Sequence, residues 1–398
     1  MTSVPEPLLP GSMIGLLGGG QLAQMLVLAG HAMGFRFIVL DPAPNCPAAL
    51  AGATQITAAY DDFAVLAELA DACDVVSYEF ENVNADAVAW LEERVDLPQG
   101  SQLLRISQNR LREKTFLQKL AVPVAPFQKI ITEKDVTVAF EELGELMLKT
   151  VTGGYDGRGQ ARISSMAQIP EAFSALSQAK TEIVAEQFVP FEREISVIVA
   201  RNRMGEIRCF TPAENLHKKN ILTISRIPAR LVPEVSEQAQ TVAKKIAEGL
   251  ELVGVLGVEM FVLPDGKLLV NEIAPRPHNS GHFTQNACVS SQFEQHLRAI
   301  TNLALGSTEL YKPALMLNIL GEHLPLLLEK LKDLPPEAKL HLYGKQDCRS
   351  GRKMGHLNLT SDSLESLLEP LQKLVYGMQI CLTKCFSYLR SGIAEKIV

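Results

Sequence analysis

The sequence has no run of about 18 consecutive apolar residues, so no membrane-spanning helix is expected. Its opening stretch, MTSVPEPLLPGSM, lacks a basic segment followed by an apolar one, which argues against a secretory signal. There is no CxxC pair. The seven cysteines (Cys46, Cys73, Cys209, Cys288, Cys348, Cys381 and Cys385) are scattered and odd in number. Neither a zinc site nor a disulfide framework is expected from them, and reduced thiols in a cytoplasm are the simpler reading. Positive charge is in deficit, with 38 Lys and Arg against 45 Asp and Glu for a net charge of −7. That balance speaks against a broad nucleic-acid surface, although a local basic cluster can still hold an anionic substrate. No internal repeat, no low-complexity segment and no GxxxxGK[ST] phosphate loop is present.

What is present is an ordinary globular composition, 47% hydrophobic and 21% charged over 398 residues, enough for two or three domains. The first ~115 residues alternate strands and helices. Met13–Leu17 is a short apolar strand that runs into Gly18, Gly19 and Gly20. Leu22, Met25, Leu26, Ala29 and Met33 then recur at helical spacing until Gly34. Phe37–Leu40 and Val75–Phe80 are further strands, so a parallel, doubly wound sheet is predicted. A new unit begins near Arg110, with strand candidates at Leu146–Lys149, Glu182–Val189 and Ile195–Val199. Val255–Val262 and Leu268–Ile273 flank Pro264-Asp265-Gly266, a hairpin signal, which makes this region α+β. Beyond Gly306 the pattern is harder to read, apart from a strand at His341–Lys345 and a helix after Ser363.

Three features carry chemistry. With Asp265 and Gly266 as a two-residue turn, the hairpin register places Glu259 opposite Glu272. Facing like charges destabilise a sheet unless a divalent cation lies between them, and two carboxylates with phosphate oxygens suit Mg²⁺. Two solvated glutamates would leave the same pattern. Second, Gly153–Gln160 holds four glycines in eight residues just after Lys149, which suits backbone amides wrapping phosphate oxygens; a ligand-free hairpin tip is the alternative. Third, Gly18-x-Gly20-x-x-Ala23 followed by Asp41 passes as a dinucleotide fingerprint. The same turn would serve a sugar phosphate, or no ligand at all.

Taken together, the segments GGGQLAQM, DPAPNCPAA, YEFENV, NRLREKTFL, TGGYDGRGQ, EQFVPFEREISVI, PAENLH, GVEMFV, NEIAPRPHNSGH and YGK…GRKMGH resemble the carboxyaminoimidazole ribonucleotide synthetase family of the ATP-grasp superfamily. The resemblance spans residues 13–356 and implies an α/β and α+β three-domain ATP-grasp fold with a Rossmann-like pre-ATP-grasp domain. The implied domains are 1–112, an ATP-grasp domain 113–305 with a lid over about 120–185 and a body over about 186–305, and a small domain 306–398. The implied reaction joins 5-aminoimidazole ribonucleotide to bicarbonate at the expense of ATP, through carboxyphosphate, in a cytoplasmic homodimer. Close rivals are a formate-using glycinamide ribonucleotide transformylase and a biotin carboxylase, against which EFENV and PRPHNSGH speak; a nicotinamide oxidoreductase explains only the first 41 residues.

The resemblance also implies residue roles. Glu259 and Glu272 would hold Mg²⁺. Arg110 and Lys149 would bind ATP phosphates beneath the loop Gly154, Tyr155, Asp156, Gly157, Arg158, Gly159 and Gln160. Glu186, Gln187, Phe188 and Val189 would read adenine through the backbone, Glu194 the ribose, with His217 and Asn271 in the same site. Arg276, Arg158 and Asn279 would be catalytic. Gly20, Gln21, Glu79, Tyr155, Asp156, Arg158, His278, Asn279, Lys345 and Arg352 would contact the ribonucleotide. Thr150 stands where a second basic residue is common in the family.

Overall fold

The computed structural model describes residues 6–153, 159–179 and 181–377. The expectations for Gly154, Tyr155, Asp156, Gly157 and Arg158, and for the tail from Met378, lie outside the described residues. Among the described residues no helix is long and apolar enough to cross a membrane.

The N-terminal unit is a four-stranded sheet of β1 (Met13–Leu17), β2 (Arg36–Leu40), β3 (Thr54–Ile56) and β4 (Val75–Tyr78), in the order β3-β2-β1-β4. All pairings are parallel, as the strand–turn–helix alternation predicts. The helix Gln21–Ala32 starts directly after the glycine turn and buries Leu22, Ala23, Met25, Leu26, Val27 and Gly30. These residues share one core with Phe293, Leu297 and Ile300 of the helix Gln292–Ile300, so the N-terminal unit is packed directly onto the body.

A second sheet is formed by β5 (Phe127–Ile130), β6 (Leu146–Thr150), β7 (Gln160–Ile163) and β8 (Ile183–Gln187), ordered β5-β8-β6-β7 and antiparallel throughout. The third has nine strands: β9 (Arg193–Arg201), β10 (Ile207–Cys209), β11 (Ala213–Lys218), β12 (Ile221–Ile227), β13 (Gly254–Val262), β14 (Leu268–Ala274), β15 (Ala314–Leu320), β16 (Ala338–Leu342) and β17 (Lys353–Thr360). Its order is β14-β13-β9-β11-β12-β15-β17-β16, with β10 on β9. The C-terminal strands therefore extend the body sheet, because β15 pairs with β12. The strand expected at His341–Lys345 ends at Leu342, and the helix after Ser363 runs Glu365–Gly377.

The hairpin turn differs from the expected one. Leu263 N–H bonds Lys267 O at 2.9 Å and Gly266 lies at φ +81°, so Pro264-Asp265-Gly266 is a three-residue loop with glycine in the left-handed position. That shifts the register by one, pairing Met260 with Val270. A bulge at Asn271 then shifts it back, and Glu259 faces Glu272 after all. The two offsets cancel.

Gly30 lies where a Cβ would meet the Phe37 ring at 2.2 Å and Leu297 at 3.2 Å. A helical Gly→Ala change by itself gains ~1 kcal/mol, whereas overpacking a filled core costs about 1–3 kcal/mol. Gly30→Ala is accordingly expected to lower the thermal midpoint; an unchanged or higher midpoint would show that the two layers yield at this joint.

Candidate active site

The site starts from the carboxylates of β13 and β14. Glu259 is buried between Ser196 of β9 and Glu272 of β14. Burial raises the Glu259 carboxyl to about 8, reinforced by the charges of Glu272 and Glu194. Arg110 Nη1 lies 3.0 Å from Glu272 Oε2, and His278 Nε2 lies 3.3 Å from Glu259 Oε1. The His278 pKa is lowered to about 3 by burial and then by Arg276, so its approach to Glu259 is not an ion pair. Among the described residues no three His, Cys, Asp or Glu side chains converge as a metal cage. The donor set is thus two carboxylates open to further oxygen ligands, which fits a hard divalent cation bridging phosphates. The buried Asn271 Oδ1 beside them has no hydrogen-bond partner.

Next to this pair lies a lysine cradle. Glu186 Oε2 takes Lys149 at 2.9 Å and Lys114 at 3.3 Å, with both ammonium groups largely buried. Burial alone would raise Glu186, but Lys149 and Lys114 outweigh it and hold it at about 2. Lys114 also donates to the carbonyl of the bulge residue Asn271 at 3.2 Å. Thr150 therefore does not leave Lys149 as the single cation here, since the helix Arg110–Lys119 brings Lys114. Glu113 of that helix is pushed up to about 8 by burial and by Glu272.

Of the segment Glu186 to Val189, expected to read a base through its backbone, two amides are used within the fold. The amides of Gln187 and Phe188 already donate to Pro126 O at 2.8 Å and Glu145 O at 2.7 Å. Glu186 presents its side chain, whose Oε1 is buried without a partner. Gln187, Phe188 and Val189 still line a cleft of about 470 Å³ with Leu263 and Leu269, and the Arg162 guanidinium covers the Phe188 ring at 3.8 Å. At the far side His217 Nδ1 lies 3.4 Å from Glu194, whose charge outweighs burial and raises His217 to about 9. Gly159 and Gln160 anchor the end of the glycine loop, with Gly159 O accepting from Thr150 N–H at 2.8 Å and Gln160 opposite Lys149.

A second cleft, of about 280 Å³, opens between the N-terminal unit and the body. Gln21, Glu79, Glu81, Arg276, His278, Asn279 and Lys353 line it. The glycine turn does not present free amides to a phosphate there. Gly19 N–H donates to Asp41 Oδ2 at 2.7 Å, and Gly20 N–H to Glu79 Oε1 at 3.0 Å. With Asp41 turned into the fold, the dinucleotide reading of this turn fails, and Gly20 acts by holding Glu79. Burial raises Glu79 to about 7.

Arg276 is bound through two nitrogens to Glu81, Nη2 to Oε1 at 2.9 Å and Nε to Oε2. That pairing overcomes burial and holds Glu81 at about 2. Asn279 exchanges amide hydrogen bonds with Asn318 of β15, at 3.0 and 2.6 Å. Lys345 and Arg352 are not among the residues lining this cleft, while Lys353 is. Lys345 Nζ bonds the Lys353 carbonyl at 2.9 Å, and Arg352 pairs with Asp347 at 3.2 Å. The sequence reading gave no role to Lys114, Glu81, Asn318 or Lys353. Lys114, Glu81 and Asn318 act through partners far along the chain, and although NRLREKTFL, YEFENV and GRKMGH drew notice as segments, Lys114, Glu81 and Lys353 within them did not.

Three family models match in succession: the ribonucleotide synthetase preATP-grasp domain over residues 12–108, the ATP-grasp domain over 115–293, and the phosphoribosylaminoimidazole carboxylase C-terminal domain over 314–370. The class is thereby set as an ATP-grasp ligase. The chain is 46% identical over 349 residues to the N5-carboxyaminoimidazole ribonucleotide synthase of Bacillus subtilis, covering 87% of this chain and 91% of the relative. A solved N5-carboxyaminoimidazole ribonucleotide synthetase in complex with ADP superposes with a TM-score of 0.90 at 48% identity, covering 93% of this chain and 98% of that one. The enzyme from Aspergillus clavatus, solved with ADP and 5-aminoimidazole ribonucleotide, gives 0.87 at 33% identity over 93% and 99% of the two chains. The chain belongs to the N5-carboxyaminoimidazole ribonucleotide synthase family.

Glu186 lies near 4.5 when unfolded and at about 2 when folded, so its contribution to stability is present above pH 4.5 and is lost as the pH falls toward 2. Glu186→Gln leaves two buried ammonium groups without their counter-ion, a loss of about 3–5 kcal/mol. Its melting temperature at pH 7 should fall well below that of the parent, and the gap should narrow in acid. A constant gap across that range would show that the pair does not carry the effect.

Proposed function

We propose that this chain carboxylates 5-aminoimidazole ribonucleotide with bicarbonate, cleaving ATP to ADP and phosphate and forming N5-carboxyaminoimidazole ribonucleotide for purine synthesis. The observation that carries this reading is the opposed pair Glu259 and Glu272, set beside the buried cradle of Lys114, Lys149 and Glu186. Glu259 and Glu272 would hold Mg²⁺, which supplies charge neutralisation and alignment of the phosphates. Arg110 and Lys149 bind phosphate oxygens, Glu194 the ribose, and the cleft lined by Phe188 and Val189 takes the base. Nucleotide position is then fixed before reaction, which is the larger part of catalysis in phosphoryl transfer.

In the first step a bicarbonate oxygen attacks the γ-phosphorus and ADP leaves, giving carboxyphosphate. In the second, the exocyclic amine of the ribonucleotide takes the carboxyl carbon, losing one proton as phosphate departs. Arg276, held rigid by Glu81, places a cation at the cleft where that negative charge develops. Gln21, Glu79, His278 and Asn279 line the substrate side of the same cleft. On the family resemblance, Tyr155, Asp156 and Arg158 of the glycine loop close over it and keep water from the carboxyphosphate. Lys345 and Arg352 would bind a ribonucleotide phosphate with the donors that their bonds to the Lys353 carbonyl and to Asp347 leave over. The family resemblance supports a homodimer, and the scattered cysteines support a cytoplasmic setting; the five within the described residues are all free thiols.

ADP release with Mg-ATP and bicarbonate should rise strongly on adding 5-aminoimidazole ribonucleotide, and not on adding glycinamide ribonucleotide with formate. Folded protein showing no such stimulation would sink the substrate assignment. Glu259→Gln and Glu272→Gln should each lower the stimulated rate by about 10²–10³, the range for removing one preorganised electrostatic group. Rates within a few-fold of the parent would refute the metal seat.

A further inference from the structure

A line of buried polar side chains crosses the body sheet from β12 to the metal carboxylates. Ser225 on β12, Asn215 on β11, Ser196 on β9 and Ser280 are all buried. An apolar sheet interior gains nothing from four such groups, since each costs free energy unless its hydrogen bonds are made. Here they are made in sequence. Ser225 Oγ–H donates to Asn215 Oδ1 at 2.8 Å, and Asn215 Nδ2–H donates to Ser196 Oγ at 2.9 Å. Ser196 Oγ–H then donates to Ser280 Oγ at 2.6 Å. The hydroxyl hydrogen of Ser280 is left for His278 Nδ1, 2.8 Å away. Nδ1 is therefore the acceptor nitrogen, which leaves the ring hydrogen on Nε2, the nitrogen that lies 3.3 Å from Glu259 Oε1.

The backbone around this ring is held as tightly as its side chain. Gln292 clasps His278 from both sides, accepting from its N–H at 2.8 Å and donating to its carbonyl at 2.8 Å. Gly257 lies two residues before Glu259 on the same face of β13, and a Cβ there would meet His278 Cβ at 2.8 Å. The absent side chain is what lets the imidazole lie alongside the carboxylate. The arrangement is that of a second layer of hydrogen bonds orienting a metal-binding group.

We propose that Ser225, Asn215, Ser196 and Ser280 form a one-way hydrogen-bond relay that fixes His278 as its Nε2–H tautomer and so orients Glu259 for the metal. They are positioning residues, remote from the reacting atoms, and the proposal rests on the reading of Glu259 as a metal ligand. The Nε2 hydrogen then lies beside the Glu259 carboxylate, which faces Glu272 across the two strands. Polarity is the essential property. Asn215 receives at its oxygen and gives at its nitrogen, so every hydrogen downstream points the same way.

The test uses full-length protein with ¹⁵N-labelled histidine. Nitrogen chemical shifts of His278, read without metal, should show a protonated Nε2 and a bare Nδ1. Asn215→Asp keeps the size of the side chain but turns the donor toward Ser196 into an acceptor, reversing the relay. It should convert His278 to the Nδ1–H form and raise the Mg²⁺ concentration for half-maximal ADP release by about 10–100-fold, the range for losing such outer partners. Ser196→Ala, which deletes one link, should populate both tautomers. An Nδ1–H ring in the parent protein overturns the relay whether or not either variant folds. So does Asn215→Asp that is folded and keeps the parent tautomer, or that switches tautomer with no change in Mg²⁺ requirement. Parent protein that releases ADP equally well without Mg²⁺ fails the metal reading instead, and leaves the nitrogen shifts to judge the relay.

Discussion

Two carboxylates held face to face on neighbouring strands are under electrostatic stress that the chain answers only in part. Like charges 4 Å apart in a medium of effective dielectric near 20 repel by about 4 kcal/mol. Glu272 has the guanidinium of Arg110, while Glu259 lies against a neutral imidazole, and the charges of His217 and Lys353 do not offset its raised affinity for a proton. A proton or a divalent cation can each relieve that stress. The surroundings of the pair follow from keeping the second option open: a bulge at Asn271 to restore the register, and a glycine at 257 to admit His278.

The same device recurs around the site at larger scale. The cations sit against carboxylates of the fold: Arg276 on Glu81, Lys114 and Lys149 on Glu186, His217 on Glu194. These pairs hold long side chains in place in the absence of ligand, so little reorganisation is left for the moment of reaction. They also join separate parts of the fold. Arg276 ties the end of β14 to the segment after β4, and Lys114 ties the helix Arg110–Lys119 to β8 of the second sheet. Asn279 and Asn318 do the same between the second cleft and the C-terminal strands, with neutral amides.

How much of this was legible in the sequence depended on the range of the interactions. The N-terminal parallel sheet could be read because strand, turn and helix each leave a local period, and β1 matches the predicted Met13–Leu17. The strand β15 was not, since its seven residues ALMLNIL are all buried and show neither alternation nor helical spacing. The facing of Glu259 and Glu272 was reached through a turn of the wrong length, and a bulge with no clear mark in the sequence made the pairing come out. The glycine turn after β1 was visible as a turn, but nothing local shows that its amides go to Asp41 and Glu79. Lys114 lay within the NRLREKTFL segment but was given no role, because its partner Glu186 lies 72 residues away by number. Family motifs carried the site assignments where local physics left two or more readings.

The claim on which the others rest is that Glu259 and Glu272 together form the seat of a divalent cation. Crystals grown with Mn²⁺ and ADP, measured for anomalous scattering, test it most directly. The account predicts an anomalous peak touching a carboxylate oxygen of each residue and an oxygen of the nucleotide phosphates. A peak bound by other residues, with Glu259 and Glu272 left to a proton or to water, would contradict it.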